Sequence, residues 1–250
     1  MLVLNTPHNP LGKVFSRSEL ENIASFCIKH DLICLSDEVY EWIVFGENGD
    51  EHIKIASLPG MWGRTITVGS AGKTFSVTGW KLGWSIGPAE LVQAMQSHQQ
   101  NTIYTCATPT QEAVARSLEH ELNLLQSLKG EQLENHCYLR SLRHELKKFS
   151  YRMADCLQKA NMTPVKPQSG YFMIADASNL PLPQEFERQL PYWDLRANDW
   201  LMREKGICGI PQSVFYNSAQ TKKEGEKYIR WCFAKQEPTL EKAFAILHNL

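Results

Sequence analysis

Short apolar segments alternate with helical periodicity in this chain, and that alternation constrains its fold more than any other feature. Three strand-like runs lie at Leu2–Leu4, Leu32–Ser36 and Thr65–Val68. Between the first two, residues 16–30 have apolar side chains at helical spacing, and Ser16 and Glu19 have the spacing of a capping box. Strands that alternate with helices are typical of an α/β fold with a parallel sheet.

The remainder of the chain is predicted to be mainly helical. Pro88 is expected to open a helix to about Gln100, and further helices are predicted over 110–128 and 130–161. Short strands are expected around Tyr171 and Ile207. The long polar and apolar helical run from residue 130 therefore predicts a second, smaller domain.

Polar side chains follow each of the three strand-like runs. An amide- and proline-rich loop begins at Asn5, Asp37 and Tyr40 follow the second run, and Lys73 follows the third. Open α/β sheets bind ligands at the carboxyl ends of their strands. The sequence therefore predicts one ligand site that contains an amide, a carboxylate, a phenol and an amine, although Asp37 as a helix cap and Asn9-Pro10 as a simple turn remain alternatives.

Lys73 lies among small residues and hydroxyls, in the segment GSAGKTFSVTGWKLGW. A second cation, Lys81, follows in the same segment. Burial and a neighbouring cation both favour the neutral amine over the ammonium ion. A neutral amine can attack a carbonyl group and form a Schiff base, so Lys73 is a candidate nucleophile.

Two other interpretations of Lys73 remain open at this point, a phosphate-binding P-loop and a purely structural lysine. If Gly72-Lys73-Thr74 ended a P-loop, a glycine would be required at position 67, where the chain has Thr67. A P-loop also leads into a helix, whereas a second apolar run, residues 80–86, follows this segment. Both features disfavour the P-loop.

Four motifs together resemble fold-type I, class I pyridoxal-phosphate aminotransferases, most closely the kynurenine aminotransferases with cysteine-S-conjugate β-lyase activity. They are NTPHNPLGKV, SDEVYEWIVF, GSAGKTFSVTGWKLGW and IRWCFAK, in the family's order. The resemblance implies a three-layer α/β/α large domain, truncated at its amino end, and a smaller α+β carboxyl-terminal domain. It places the partial large domain at residues 1–130 and the small domain, with the long connecting helix, at 131–250.

The resemblance also implies a role for each cofactor-site residue. Lys73 would hold pyridoxal 5'-phosphate covalently and move the proton between substrate Cα and cofactor C4′, and Asp37 would pair with the pyridine nitrogen. Asn9 and Tyr40 would hydrogen-bond the cofactor's phenolic oxygen, and Asn9 would also contact substrate. Ser70 and Lys81 would bind the phosphate. The residues implied to be catalytic are Lys73, Asp37 and Tyr40.

Two further residues are implied to bind substrate. Arg230 would hold the substrate α-carboxylate through paired hydrogen bonds, with an exposed strand arginine as the alternative. Tyr104 would reach into the active site of a neighbouring protomer of a homodimer, with a core aromatic residue as the alternative. The turn at Gly170 would lie beside the substrate, although the segment SGYF also suits the start of a strand.

The implied activity is transamination between a 2-oxo acid and an amino acid that is kynurenine, aromatic, glutamine or sulfur-containing, with cysteine-S-conjugate β-elimination as a side reaction. Family members carry additional large-domain segments before the counterpart of Asn5. An alternative is therefore an inactive short form that associates with full-length subunits. A nucleotide-binding protein is the third hypothesis.

Composition excludes several other classes of protein. The formal net charge is -1, so neither nucleic acid nor an anionic membrane is expected as a partner. The 7 cysteines are scattered without a CxxC pair, which indicates neither a zinc site nor a disulfide framework. No metal is expected. A reduced, cytoplasmic protein is the expectation, with a mitochondrial location possible for a longer form.

Overall fold

The computed structural model describes residues 1–46, 52–186 and 190–250. The described chain divides into two compact units. The first contains residues 1–9 and 13–144, and the second contains residues 10–12 and 145–250. The boundary expected from the sequence, between residues 130 and 131, lies within the first unit, and the division into functional domains stays a prediction.

The first unit contains a four-stranded sheet in the order β1-β2-β3-β4. Its strands are β1 (Leu2–Asn5), β2 (Cys34–Asp37), β3 (Thr65–Ser70) and β4 (Gly83–Ile86). The first three are parallel, and β4 pairs antiparallel with β3. The sheet therefore confirms the mixed α/β class that the alternating sequence pattern predicts.

Helix α1 (Arg17–Lys29) connects β1 and β2 and packs its apolar face into the first unit's core. The predicted capping box begins it: Glu19 N–H donates to Ser16 Oγ, and Ser16 N–H donates to the Glu19 carboxylate. Leu20, Ala24 and Cys27 are its buried residues. They pack with Leu4, Cys34, Ile55, Leu58 and Met61.

The other helices of the first unit follow β3 and β4. They are the one-turn helix α2 (Ala71–Thr74), then α3 (Ala89–Thr102), α4 (Thr108–Ser127) and α5 (Gly130–His136). Helix α6 (Tyr138–Lys159) follows α5 and continues into the second unit. The single helical run predicted over 130–161 was therefore wrong, because Cys137 interrupts it between α5 and α6.

The second unit has its own antiparallel sheet, in the order β5-β6-β8-β7. Its strands are β5 (Thr163–Val165), β6 (Phe172–Asp176), β7 (Ile210–Pro211) and β8 (Tyr228–Cys232). Its helices are α7 (Trp193–Trp200), α8 (Ala219–Gly225) and α9 (Glu237–Leu247), and a π-helical turn, Leu201–Lys205, follows α7. The strand expected around Ile207 begins at Ile210 instead, because Ile207 N–H still bonds Leu201 O at the end of that turn.

No helix among the described residues is long and apolar enough to cross a membrane. Among the same residues, no group of three or more His, Cys, Asp or Glu side chains could hold a metal ion.

Candidate active site

The carboxyl ends of β1, β2 and β3 meet at one edge of the first unit's sheet. Asn5 pairs with Asp37, and Asp37 pairs with Val68. The Asn5 side-chain amide donates to Asp37 O over 3.2 Å, and Asn9 N–H donates to Asn5 Oδ1 over 2.8 Å. The loop that contains Asn9 is thus hydrogen-bonded to the strand end that contains Asp37.

Asp37, the last residue of β2, and Tyr40, in the turn that follows it, differ in exposure. The Asp37 side chain is half-buried, and its Oδ1 accepts a long hydrogen bond of 3.4 Å from Val39 N–H. Tyr40 is almost fully buried. A half-buried carboxylate at a sheet edge can still accept a hydrogen bond from a ligand.

Lys73 lies in α2, immediately after β3. Ala71 and Thr74 on either side of it are buried, and Lys73 itself is half-buried. Thr78 Oγ1 donates to Gly72 O over 3.1 Å, which holds the following loop against the turn. Packing and hydrogen bonding therefore constrain the backbone on both sides of the amine.

Ser70 and Lys81 lie at the same end of the β3–β4 pair. Ser70 is paired with Gly83, and Ala71 N–H donates to Leu82 O over 3.1 Å. Lys81 has a left-handed backbone conformation, with φ of 53°, and its side chain is exposed. The pairing thus brings a hydroxyl group and a cation to the two neighbouring strand ends beside Lys73.

Arg230 belongs to the second unit, in β8 between β6 and β7. Its guanidinium carbon lies 4.1 Å from the ring centroid of Phe172 and 4.9 Å from that of Phe215. The side chain is half-buried, so it is not the exposed strand arginine of the alternative interpretation. Contact with two aromatic rings restricts the orientation of the planar guanidinium.

Tyr104 follows the carboxyl end of α3 and has a positive φ of 71°. Its side chain is 80% exposed, which excludes the alternative that it is a core aromatic residue of this chain. Gly170 also has a positive φ, of 72°, and it lies in the turn before β6 rather than in the strand.

A buried polar group beside Asp37 was missed by the sequence analysis. Glu38 is fully buried, and its carboxylate lies 2.7 Å from His52 Nε2 and accepts a 2.8 Å hydrogen bond from Ser36 Oγ. Alternation along the strand could have shown that Ser36 and Glu38 share a face opposite Asp37. The contact with His52, fourteen positions later, has no signal in the local sequence.

Comparison with known proteins decides the family. The sequence pattern of the family "Aminotransferase class I and II" matches residues 1–247. The chain belongs to this family.

Among curated proteins, the chain is 49% identical over 247 residues to kynurenine–oxoglutarate transaminase 3 from Homo sapiens, with 98% of this chain and 52% of that protein covered. It is 44% identical over 248 residues to kynurenine–oxoglutarate transaminase 1 from Homo sapiens, covering 96% and 55%. The chain therefore spans about half the length of the curated relatives it matches.

Solved structures confirm the aminotransferase fold. Bna3p from Saccharomyces cerevisiae has a TM-score of 0.83 and 31% identity, over 98% of this chain and 56% of that chain. The N-succinyldiaminopimelate aminotransferase from Mycobacterium tuberculosis has a TM-score of 0.81 and 31% identity, over 99% and 57%. The predicted fold-type I class is thus confirmed, as is the shortness of this chain relative to family members.

Aminotransferases of this family use pyridoxal phosphate, and the polar groups at the sheet edge fit that cofactor chemically. The first unit supplies a carboxylate for a pyridine nitrogen, a hydroxyl and a cation for a phosphate, and an amine for an aldehyde. Ser70 lies two residues beyond Val68, the strand partner of Asp37, or about 7 Å along the sheet at the usual rise of a strand. The Asp37 carboxylate is therefore separated along the sheet from Ser70, a candidate phosphate ligand, as a ring with a phosphate arm requires.

Proposed function

We propose that this chain contains the lysine-bearing half of a pyridoxal-phosphate aminotransferase that transfers an amino group between an amino acid and a 2-oxo acid. The observation that supports the proposal is the sheet edge of the first unit, where Asp37, Ser70, Lys73 and Lys81 lie at adjoining strand ends. Membership of an aminotransferase family that uses pyridoxal phosphate supports assigning this cofactor to these groups.

Bound at this edge, the cofactor would supply an electron-withdrawing conjugated ring that stabilises negative charge at substrate Cα. The Asp37 carboxylate would keep the proton on the ring nitrogen, because an anion at hydrogen-bond distance favours the protonated form. Tyr40 and Asn9 would orient the ring through its phenolic oxygen. Lys73 Nζ would remove the proton from substrate Cα and return a proton to the cofactor side.

Lys81 and Ser70 would hold the phosphate. Lysine supplies a point charge without the paired donors of arginine, so Ser70 would add the directional hydrogen bond. Arg230 would bind the substrate α-carboxylate, and the aromatic rings of Phe172 and Phe215 beside it support this role because they restrict its guanidinium.

Kynurenine with 2-oxoglutarate is the substrate pair we propose, because the relatives at 49% and 44% identity are named for it. We also propose β-elimination as a side reaction with cysteine S-conjugates, which have a leaving group on Cβ. We propose a homodimer in which the exposed Tyr104 contacts the other protomer's site.

A second candidate function is association with a longer subunit without catalysis by this chain. Both edge strands support it: among the described residues neither β1 nor β4 has a second strand partner, and Val3 and Ile86 on them are 63% and 50% exposed. Unpaired strand edges with exposed apolar side chains favour pairing with another chain. Size measurements of this chain, alone and with a full-length relative, distinguish homodimer from mixed assembly.

Borohydride reduction in the presence of pyridoxal phosphate tests the main proposal. Reduction should attach the cofactor stably to Lys73, because only a lysine that has formed an imine is trapped. Peptide mapping locates the label, and assay of glutamate from kynurenine and 2-oxoglutarate measures turnover. Lys73→Ala should lose both the site-specific label and the activity.

Lys29→Ala is the matched control, because Lys29 is an exposed lysine at the end of α1. It should retain the label and the activity of the unaltered chain. Labelling spread evenly over surface lysines, and unchanged by Lys73→Ala, would show that the assignment is wrong. Site-specific labelling without turnover would instead favour the second candidate function.

A further inference from the structure

Glu38 is a fully buried carboxylate that immediately follows Asp37 in the chain. Ser36 Oγ donates to its Oε1 over 2.8 Å, and His52 Nε2 lies 2.7 Å from its Oε2. Ser36 is also fully buried, and the His52 side chain is only 3% exposed. The Lys54 ammonium lies farther away, 3.7 Å from Oε2, and is half-exposed.

Such a carboxylate is costly to bury unless it is hydrogen-bonded, so the three partners hold Glu38 in one orientation. The other ring nitrogen of His52, Nδ1, is buried without a hydrogen-bond partner among the described residues. A histidine buried with one nitrogen unsatisfied contributes less to stability than an apolar residue of similar size would. The stability of the fold alone therefore gives little reason for a histidine at this position, whereas its contact with Glu38 does.

The backbone around Asp37 is held by hydrogen bonds to both neighbouring strands. Thr6 N–H donates to Asp37 O over 3.0 Å on one side, and Glu38 N–H donates to Val68 O over 3.0 Å on the other. Side chains alternate across a strand, so Glu38 is anchored on the face opposite Asp37. Fixing Glu38 by its side chain fixes the peptide from which Asp37 projects.

We propose that Glu38 and His52 form a positioning pair that sets the location and orientation of the Asp37 carboxylate toward the pyridine nitrogen of the cofactor. The inference rests on the proposed function, since Asp37 is given its role there. The effect of Glu38 and His52 on the cofactor would pass through the peptide between residues 37 and 38.

The first test uses the chain without cofactor. Glu38→Gln keeps the size of the side chain and removes its charge. It should speed hydrogen exchange of the backbone amides of residues 6 and 38, the two N–H groups whose hydrogen bonds hold the Asp37 peptide. Glu121→Gln is the matched control, because Glu121 is a buried carboxylate of the same unit that accepts from Cys137 Sγ and Leu139 N–H. Its exchange effects should be confined to the α5–α6 junction.

The second test measures the dissociation constant of pyridoxal phosphate by absorbance. Glu38→Gln should weaken binding about tenfold. This is the lower end of the loss seen when a residue that orients a metal-binding side chain is removed. In an Asp37→Asn background the same change should have almost no further effect, because groups that act through one another are not additive. Glu121→Gln should leave binding unchanged in both backgrounds.

A pair of variants at position 52 tests the hydrogen bond itself. His52→Gln retains a donor that can reach Glu38, and His52→Ala does not. We expect the glutamine variant to bind pyridoxal phosphate more tightly than the alanine variant, and equal losses would overturn the role of this hydrogen bond.

Unchanged exchange at Thr6 and Glu38 in Glu38→Gln, or additive effects of Glu38→Gln and Asp37→Asn on binding, overturn the positioning role. The proposed function fails in a different way. If the unaltered chain binds no pyridoxal phosphate while Glu38→Gln still speeds exchange at both amides, the Asp37 peptide is positioned by Glu38 but the cofactor role of Asp37 is wrong.

Discussion

Gly72, the residue before Lys73, has no room for a side chain. A Cβ atom there would lie 2.9 Å from Thr78 Cα and 3.4 Å from both Thr78 N and Ser70 Oγ. The nearest atom belongs to the backbone, so it cannot move aside by a rotamer change. Thr78 is also hydrogen-bonded to Gly72 O, which further limits its movement.

Two opposing effects decide the outcome of Gly72→Ala. Replacing glycine by alanine in a compatible conformation stabilises a protein by about 0.7 kcal/mol, through lower entropy of the unfolded chain. Overpacking against atoms that cannot relax costs about 2 kcal/mol. We therefore expect a net loss of about 1.3 kcal/mol in the free energy of unfolding.

Gly79→Ala supplies the matched comparison, because Gly79 lies in the neighbouring 3-10 turn, Thr78–Trp80, and a Cβ there meets nothing within 4 Å. It should show only the entropic gain, so the two variants should differ by about 2 kcal/mol in urea unfolding at constant m-value. If Gly72→Ala proved as stable as Gly79→Ala, the close packing of the Lys73 turn against Thr78 would be refuted.

Two further predictions concern the core of the first unit. Leu20→Ala should lower the free energy of unfolding by about 3 kcal/mol, because Leu20 is fully buried, whereas Ile28→Ala on the exposed side of α1 should cost less than about 1 kcal/mol. Burial and the neighbouring Cys27 raise the pKa of the Cys34 thiol from 9.0 to about 12, so this thiol ionises in the unfolded chain before it does in the folded one. The contribution of this thiol to stability should be constant below pH 9 and fall between about pH 9 and 12, by at most about 1.4 kcal/mol per pH unit. In urea unfolding across that range, the free energy of unfolding should fall less steeply with pH for Cys34→Ala than for Cys208→Ala, because the Cys208 thiol is exposed. Equal slopes would contradict the raised pKa of Cys34.

Local patterns predicted much of the first unit correctly. The capping box at Ser16 and Glu19, the start of a helix after Pro88 and the strands of the parallel sheet all formed where expected. Each of these depends on contacts within a few residues, or on an apolar pattern that any sheet would bury. The four-motif resemblance supplied the family, which the match over residues 1–247 confirmed.

The break between α5 and α6 could not be predicted in this way. Glu121, on α4, accepts hydrogen bonds from Leu139 N–H and from the Cys137 thiol, and so supplies a partner for a backbone donor at the start of α6. The pKa of that thiol is raised, chiefly by its burial. A helical pattern read along 130–161 contains no information about a carboxylate that approaches from another helix.

The amino-acid sequence by itself determined the α/β class, the starts of α1 and α3 and which strand ends have polar groups, because these follow from periodicity, capping and residue type. Tertiary structure alone decided that Arg230 contacts two aromatic rings, that the Tyr104 side chain is exposed and that Glu38 pairs with His52. The contacts of Arg230 and of Glu38 join residues at least fourteen positions apart in the chain. Burial then sets their energies, and the exposure of a side chain is a property of the fold that surrounds it.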